Sequence, residues 1–257
     1  MALSKKSRCK SPDIHNLVSS LYLNPRYSDL TIICQEDQFP AHRNIVCLRS
    51  TYFARMCDGA FAEAASGIVQ LDEYDPLLIR KMLECLYTGD YTYSIRDLGY
   101  DRSPSPEEAT PTPTSDTEIV PVVPNDNASK ASNYSARFHA SMYAYADYFG
   151  IDVLRTRAKR YFGIVFMKDY SADAVNRESF AAVLEEVYGT TPAHDRGLRG
   201  SVVDTIMKDI SNLRGGSSPV LDDAMLRRFP EFAMDVCSAS LDSLVNLKEK
   251  AQWPNWA

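Results

Sequence analysis

The stretch that decides the fold is Ser28–Arg43, which reads SDLTIICQEDQFPAHR. Residues 29–34 are mostly aliphatic or β-branched, residues 35–38 are polar, and residues 39–42 can return as a second strand. Two short apolar runs joined by a polar turn are typical of a β-hairpin. The sequence therefore predicts that this domain contains a sheet that begins with an antiparallel pair.

Helical signals follow the hairpin. Two short helices are predicted at 43–49 and 51–58, and a brief strand follows at 68–71. Asp75-Pro76 opens a further helix, because an acidic cap and a proline in the first turn are typical helix starts, and Gly89 ends it. Strands followed by helices in this order predict a domain with both kinds of element.

A short amphipathic helix is predicted before the hairpin. Ser11-Pro12-Asp13 is a helix start, and Asn24-Pro25 ends the helix. Its apolar residues lie at i, i+3, i+4 and i+7, so they form one stripe that must be buried somewhere: Ile14, Leu17, Val18 and Leu21.

Residues 94–133 differ in character from the rest of the chain. They contain six prolines, many Ser and Thr residues, and seven acidic side chains against three basic ones. Such a segment cannot bury enough apolar surface to offset its ordering entropy, so a disordered insertion is predicted. The segment is either a passive linker or a linker that is phosphorylated at its Ser-Pro and Thr-Pro pairs.

The C-terminal part of the chain is predicted to be helical, because apolar residues recur with helical spacing from residue 134 onward. In the helix that begins at Asp152, the basic residues at 155, 157, 159 and 160 are interpreted as a solvated surface and not as a nucleic-acid site.

Composition excludes several classes of function. The formal net charge of −6 argues against nucleic-acid binding, and no stretch approaches the roughly 18 apolar residues of a membrane span. The six cysteines lack paired spacing and are expected to be reduced, so we expect a cytoplasmic or nuclear protein. No metal spacing, phosphate loop or nucleophile motif occurs, so neither an enzyme nor a cofactor is expected.

Several separated motifs resemble the BTB/POZ domain in order and spacing. From the N-terminus they are Ser28-Asp29-Leu30-Thr31, Phe39-Pro40-Ala41-His42-Arg43, Ser50, Tyr52-Phe53, Met56, Asp75-Pro76 and Leu86-Tyr87-Thr88-Gly89. The resemblance implies an α+β fold, a small mixed sheet capped by a cluster of helices, followed by an all-helical extension. The insertion is longer than the short loop of the family pattern and is similar to that of fungal members.

The resemblance also implies a division of the chain. Residues 1–27 are a basic arm and the amphipathic helix, 28–93 the BTB/POZ core, 94–133 the insertion, 134–165 the closing helices of the domain, and 166–257 a helical extension. Ala146-Asp147-Tyr148-Phe149 stands where the family has a similar motif.

Three candidate sites follow from the resemblance. Phe61, Ala62 and Glu63 resemble the apolar-x-Glu signature with which BTB adaptors bind a cullin scaffold; alternatively, Phe61 is a loop residue packed on the core. Asp29 and Arg43 correspond to a charged pocket near the dimer interface, or form an ordinary ion pair between strand and helix. The helix with Ile14, Leu17, Val18 and Leu21 is the expected homodimer face, unless it folds back on its own domain.

Two functions therefore remain open, both of them non-enzymatic protein–protein interaction. The chain is either a substrate adaptor for a cullin-type ubiquitin ligase, with an unknown protein substrate, or a homo-oligomeric scaffold or transcription-associated protein that binds no cullin. The absence of propeller, zinc-finger or ankyrin repeats after the core lowers the weight of the adaptor interpretation.

Overall fold

The computed structural model describes residues 13–59, 62–93, 126–169, 177–215 and 219–252. In chain order its elements are α1 (Ile14–Ser19), β1 (Leu30–Cys34), β2 (Asp37–Ala41), α2 (Arg43–Arg49), α3 (Thr51–Asp58), α4 (Ala62–Ser66), β3 (Ile68–Gln70), α5 (Pro76–Thr88), α6 (Asp126–Phe149), α7 (Asp152–Asp169), α8 (Arg177–Thr190), α9 (Arg196–Arg214), α10 (Asp223–Arg228) and α11 (Pro230–Gln252).

The sheet is small and mixed, as the sequence predicted. Strand β1 lies in the centre, antiparallel to β2 and parallel to β3, and Ile32 is opposite both Phe39 and Val69. Alternate residues of β1 are buried, beginning with Leu30 and Ile32, because successive side chains point to opposite faces of a sheet. The turn residue Gln35 has a positive φ of 55°, which lets the chain reverse within two residues.

The helices that pack with this sheet begin and end where the sequence signals indicated. Ser50 caps α3 by accepting a hydrogen bond from the amide of Phe53 at 3.2 Å. Asp75 caps α5, Pro76 occupies its first turn, and Gly89 ends it with a φ of 77°. Helix α5 then contributes a buried face to the core, formed by Ile79, Met82, Leu83 and Leu86.

Contacts divide the chain into two compact units. The first contains residues 1–92 and 145–155, and the second contains residues 93–144 and 156–257. The regular elements in the described part of the second unit are all helices, which confirms the predicted helical extension. Its core includes neighbouring aromatic rings, with centroids 5.2–6.4 Å apart, from Phe162, Phe166, Phe180 and Phe232.

Three local predictions differ from the structure. Helix α1 ends at Ser19, so Leu21 lies in the following turn and not in the helix. Helix α6 begins at Asp126, so residues 126–133 are helical although the sequence assigned them to the insertion; extending a helix that is already nucleated costs little. A five-residue helix, α4, stands where a loop was expected. Residues 94–125 of the insertion lie outside the described residues.

Within the described ranges, no helix is both long enough and apolar enough to cross a membrane.

Candidate interaction surfaces

The α4 turn, residues 62–67, carries two of the three residues predicted to bind a cullin. Ala62 is exposed and Glu63 is half-buried in the first turn of α4, while Phe61 lies outside the described residues. The carbonyl of Glu63 accepts a hydrogen bond from the amide of Gly67 at 2.9 Å. Gly67 has a φ of 69°, and a Cβ there would lie 3.3 Å from the Asp29 carbonyl oxygen, so glycine permits the close return of the chain into β3.

Asp29 and Arg43 hold the α4 turn against the sheet. The Asp29 carboxylate accepts a hydrogen bond from the backbone amide of Arg43 at 2.8 Å, at the start of α2. The Arg43 guanidinium donates to the carbonyl oxygens of Asp29 at 3.3 Å and Ala64 at 3.0 Å, with a longer contact of 3.5 Å to that of Glu63. Both side chains therefore bind backbone groups.

This geometry differs from the ordinary ion pair between strand and helix. Among the ion pairs of the described residues, the Asp29 carboxylate and the Arg43 guanidinium do not form one within 4.0 Å. The physical reason is that backbone amides and carbonyls lie closer to each charged group than the other charge does. The two residues fasten local backbone segments, and the charged pocket stays a prediction.

Both ring nitrogens of His42 make hydrogen bonds within the fold. Its Nδ1 lies 2.8 Å from the hydroxyl of Tyr87, and its Nε2 lies 2.9 Å from the carbonyl oxygen of Arg26. The Nε2–H tautomer satisfies both contacts, because Nε2 then donates to the carbonyl and Nδ1 accepts from the hydroxyl. Burial raises the pKa of Tyr87 to about 12, so its hydroxyl remains protonated. This histidine is accounted for by packing.

A cluster of tyrosines lies near α4 and was missed by sequence reasoning. The rings of Tyr52, Tyr74 and Tyr148 surround Phe149 at centroid distances of 4.8, 5.3 and 5.1 Å. Tyr148 is 57% exposed. Burial, and then the charges of Tyr148 and Glu63, raise the pKa of Tyr52. The tyrosines are far apart in sequence, so only the fold brings them together.

The predicted dimer helix is partly open to solvent. Ile14 is 76% exposed and Leu17 is 49% exposed, whereas Val18 and Leu21 are half-buried. The adjacent Tyr22 donates a hydrogen bond from its hydroxyl to the carbonyl oxygen of Arg80 in α5, at 2.9 Å. The segment therefore packs on its own domain along one side and leaves two aliphatic side chains uncovered on the other.

In the described part of the chain, His, Cys, Asp and Glu side chains form no group of three or more that could hold a metal ion.

Comparison with known proteins identifies the class of domain. Residues 18–100 match the family model of the BTB/POZ domain. The chain therefore carries a BTB/POZ domain, a class that consists in general of protein-interaction modules and not of catalytic domains.

Each relative matches about a third of the chain. It is 31% identical to Kelch-like protein 30 of Homo sapiens over 80 residues, which are 31% of this chain and 14% of that protein. It is 29% identical to TD and POZ domain-containing protein 4 of Mus musculus over 85 residues, which are 33% of this chain and 22% of that protein. The similarity thus spans less than a quarter of either relative.

Proposed function

We propose that this chain is an adaptor that acts through protein–protein contacts, and that its BTB/POZ domain binds a cullin-type ubiquitin-ligase scaffold through residues 61–63 and the tyrosines close to Glu63. The observation that carries this proposal is the position of α4. The turn is fastened by Arg43 and Gly67, exposes Ala62, and has an aromatic surface close to Glu63.

The chemistry of this surface suits a protein partner. Exposed or half-buried tyrosines supply large contact areas at low conformational cost, and they are enriched among the residues that dominate binding energy. Glu63 adds one carboxylate beside them. A pre-formed turn loses little entropy on binding, which favours affinity. The similarity to Kelch-like protein 30 is consistent with an adaptor but covers only 31% of this chain.

We further propose that the chain forms a homodimer through α1. Ile14 and Leu17 are aliphatic, adjacent on one helix face and largely exposed, and pairing with a second copy would remove them from water. Replacing both with Asp should convert a dimer into a monomer in sedimentation equilibrium. The control is Ile68→Asp, at another exposed aliphatic residue of the same unit, and it should leave the dimer intact.

The alternative function is a homo-oligomeric scaffold or transcription-associated protein that does not bind a cullin. That alternative relied on a charged pocket at Asp29 and Arg43. Both side chains are engaged with backbone groups, so the observations favour the adaptor.

Calorimetric titration of the full chain with a cullin N-terminal domain tests the proposal. We expect a Kd in the micromolar range or tighter, which corresponds to about 8 kcal/mol. A Phe61→Ala, Glu63→Ala double variant should bind at least about tenfold more weakly. The matched control is Glu36→Ala with Leu48→Ala, which removes one exposed acid and one exposed apolar side chain elsewhere in the same unit. Absence of binding by the folded wild type would reject the adaptor function.

A further inference from the structure

Helix α11 has an exposed apolar face that is separate from the face that packs on the core. Phe232 and Val236 are buried and fix which side of the helix meets the rest of its unit. On another side, five apolar or thiol side chains are exposed at i, i+3, i+7, i+10 and i+11, so they form one stripe along the helix. This outer stripe consists of Met234, Cys237, Leu241, Leu244 and Val245.

The outer stripe is exposed both where the helix packs on its unit and further along. Met234 is 66% exposed although Phe232, two residues before it, is fully buried. Leu241, Leu244 and Val245 are each more than half exposed. Contiguous exposed apolar side chains on one face are typical of a surface that binds another molecule. The outer stripe is therefore a candidate contact surface.

Charged side chains beside the outer stripe are not used within the chain. Lys248 follows Leu244 by one helical turn, and Asp242 lies one turn before Val245. Both are exposed, and neither takes part in an ion pair among the described residues. Asp242 and Lys248 thus lie three residues before and three residues after Val245, with opposite charges.

We propose that the outer stripe binds a second copy of this chain, with the two α11 helices antiparallel and crossing at Val245. Lys248 of each copy then lies level with Asp242 of the other copy, so two reciprocal ion pairs flank the contact. The aliphatic side chains at 241, 244 and 245 of both copies leave water together. A contact between identical surfaces must be self-complementary, and opposite charges placed evenly about a central residue meet that requirement.

Charge also separates this arrangement from two others. A parallel pair sets Lys248 against Lys248 and Asp242 against Asp242, and like charges at such positions are unfavourable. A lipid surface is disfavoured because Asp242 and Glu249 lie on the polar face of this part of the helix, whereas helices that bind anionic lipids carry lysine and arginine there.

The contact is short, so the pairing is weak and reversible. Residues 241–249 cover about 12 Å of helix axis, and such a contact is smaller than the roughly 800 Å² per partner of a standard interface. It is also separate from the dimer proposed through α1. A chain with two self-complementary surfaces forms assemblies larger than a dimer, and therefore the two contacts have to be tested one at a time.

Sedimentation equilibrium of the full chain, in reducing buffer and up to about 1 mM, tests the proposal. An Ile14→Asp, Leu17→Asp background removes the α1 contact, and the remaining monomer–dimer equilibrium should have a Kd below about 500 µM. Leu241→Glu with Leu244→Glu should raise that Kd at least about tenfold. The matched control, Ile164→Glu with Met167→Glu, alters two similarly exposed apolar residues of the same unit and should leave it unchanged.

Charge reversal tests the orientation of the pair. Asp242→Lys and Lys248→Asp should each raise the Kd about fivefold, because each places like charges opposite one another. The double variant should return the Kd to within about twofold of its starting value. A parallel pair would show neither the loss nor the recovery, because like charges would face each other in every variant.

The same Leu241→Glu, Leu244→Glu change in the wild-type chain should remove one step of association, so the result does not depend on the background. The proposal is overturned if the folded chain shows no association that this change removes, or if the control variant weakens association equally. Single charge reversals that leave the Kd unchanged overturn it as well. Loss of binding to phosphatidylserine vesicles, without any change in self-association, would identify a lipid surface as the partner and also overturn it.

Discussion

Replacing Arg43 with Met should release the α4 turn from the sheet. The guanidinium donates to the carbonyl oxygens of Ala64 at 3.0 Å and Asp29 at 3.3 Å. Hydrogen bonds from charged donors contribute about 1.5–3 kcal/mol each, and the lower end applies because Arg43 is only half-buried. Two such bonds give a loss of about 3 kcal/mol in the free energy of unfolding.

Urea denaturation monitored by circular dichroism measures this loss, and hydrogen exchange locates it. The amide of Gly67 donates to the Glu63 carbonyl. Its exchange rate should rise from wild type to Arg43→Met by a larger factor than the exchange rates of the β1 amides do. Arg49→Met is the matched control, because the Arg49 guanidinium donates to one carbonyl, that of Leu86, at 3.0 Å. This control should lose about half as much stability, about 1.5 kcal/mol.

Two results would refute the reasoning. If Arg43→Met and Arg49→Met lose the same free energy of unfolding, the extra carbonyl contact of Arg43 contributes nothing. If Arg43→Met is destabilised while exchange at Gly67 is unchanged, the turn is held by other contacts. In either case the support that Arg43 gives to the proposed cullin-binding turn would have to be abandoned.

Three further predictions concern the stability of the two units. Burial lowers the pKa of His139 from 6.5 to about 4, so the unfolded chain binds the proton first as pH falls. The stability that neutral His139 gives should be complete above about pH 6.5 and should decrease by up to about 3 kcal/mol toward pH 4. A His139→Phe variant should show a flatter pH profile in urea melts. Gly150→Ala should lower the free energy of unfolding by more than about 2 kcal/mol, since φ is 62° and the new Cβ would overlap the Thr51 hydroxyl. In thermal melts, adding Thr51→Ala should recover all but about 1 kcal/mol of that loss. Asp195→Ala should lower the free energy of unfolding in urea by about 2–4 kcal/mol, because Asp195 caps α9 and accepts a hydrogen bond from the buried Tyr143 hydroxyl at 2.9 Å. The same substitution in a Tyr143→Phe background should cause a smaller loss.

Local patterns in the sequence were sufficient for the elements of the BTB/POZ core. The aliphatic and β-branched residues at 29–34 predicted strand β1, and the cap at Asp75 with the stop at Gly89 predicted α5 to the residue. These signals depend on neighbours within a few positions, so the sequence contains them directly. Helix α4 was not predicted, because its five residues are too short to show a helical period.

The candidate surfaces were predicted less completely. The sequence drew attention to Glu63, Asp29 and Arg43 through their place in the family motif. It could not indicate that the Arg43 guanidinium would bind backbone carbonyls, because those carbonyls belong to residues 14 and 21 positions away. The tyrosine cluster was missed for the same reason.

The sequence by itself determined the class of domain, through the resemblance of its separated motifs. It also determined the order of strands and helices and the helical character of the C-terminal part, because periodicity, caps and turn residues act over short distances. Tertiary structure alone decided which of these residues are accessible. Ile14 of α1 remains exposed while Val18 is half-buried, although both belong to one amphipathic stripe. The physical reason is that exposure depends on what packs against a helix from distant parts of the chain, and the local sequence carries no record of that packing.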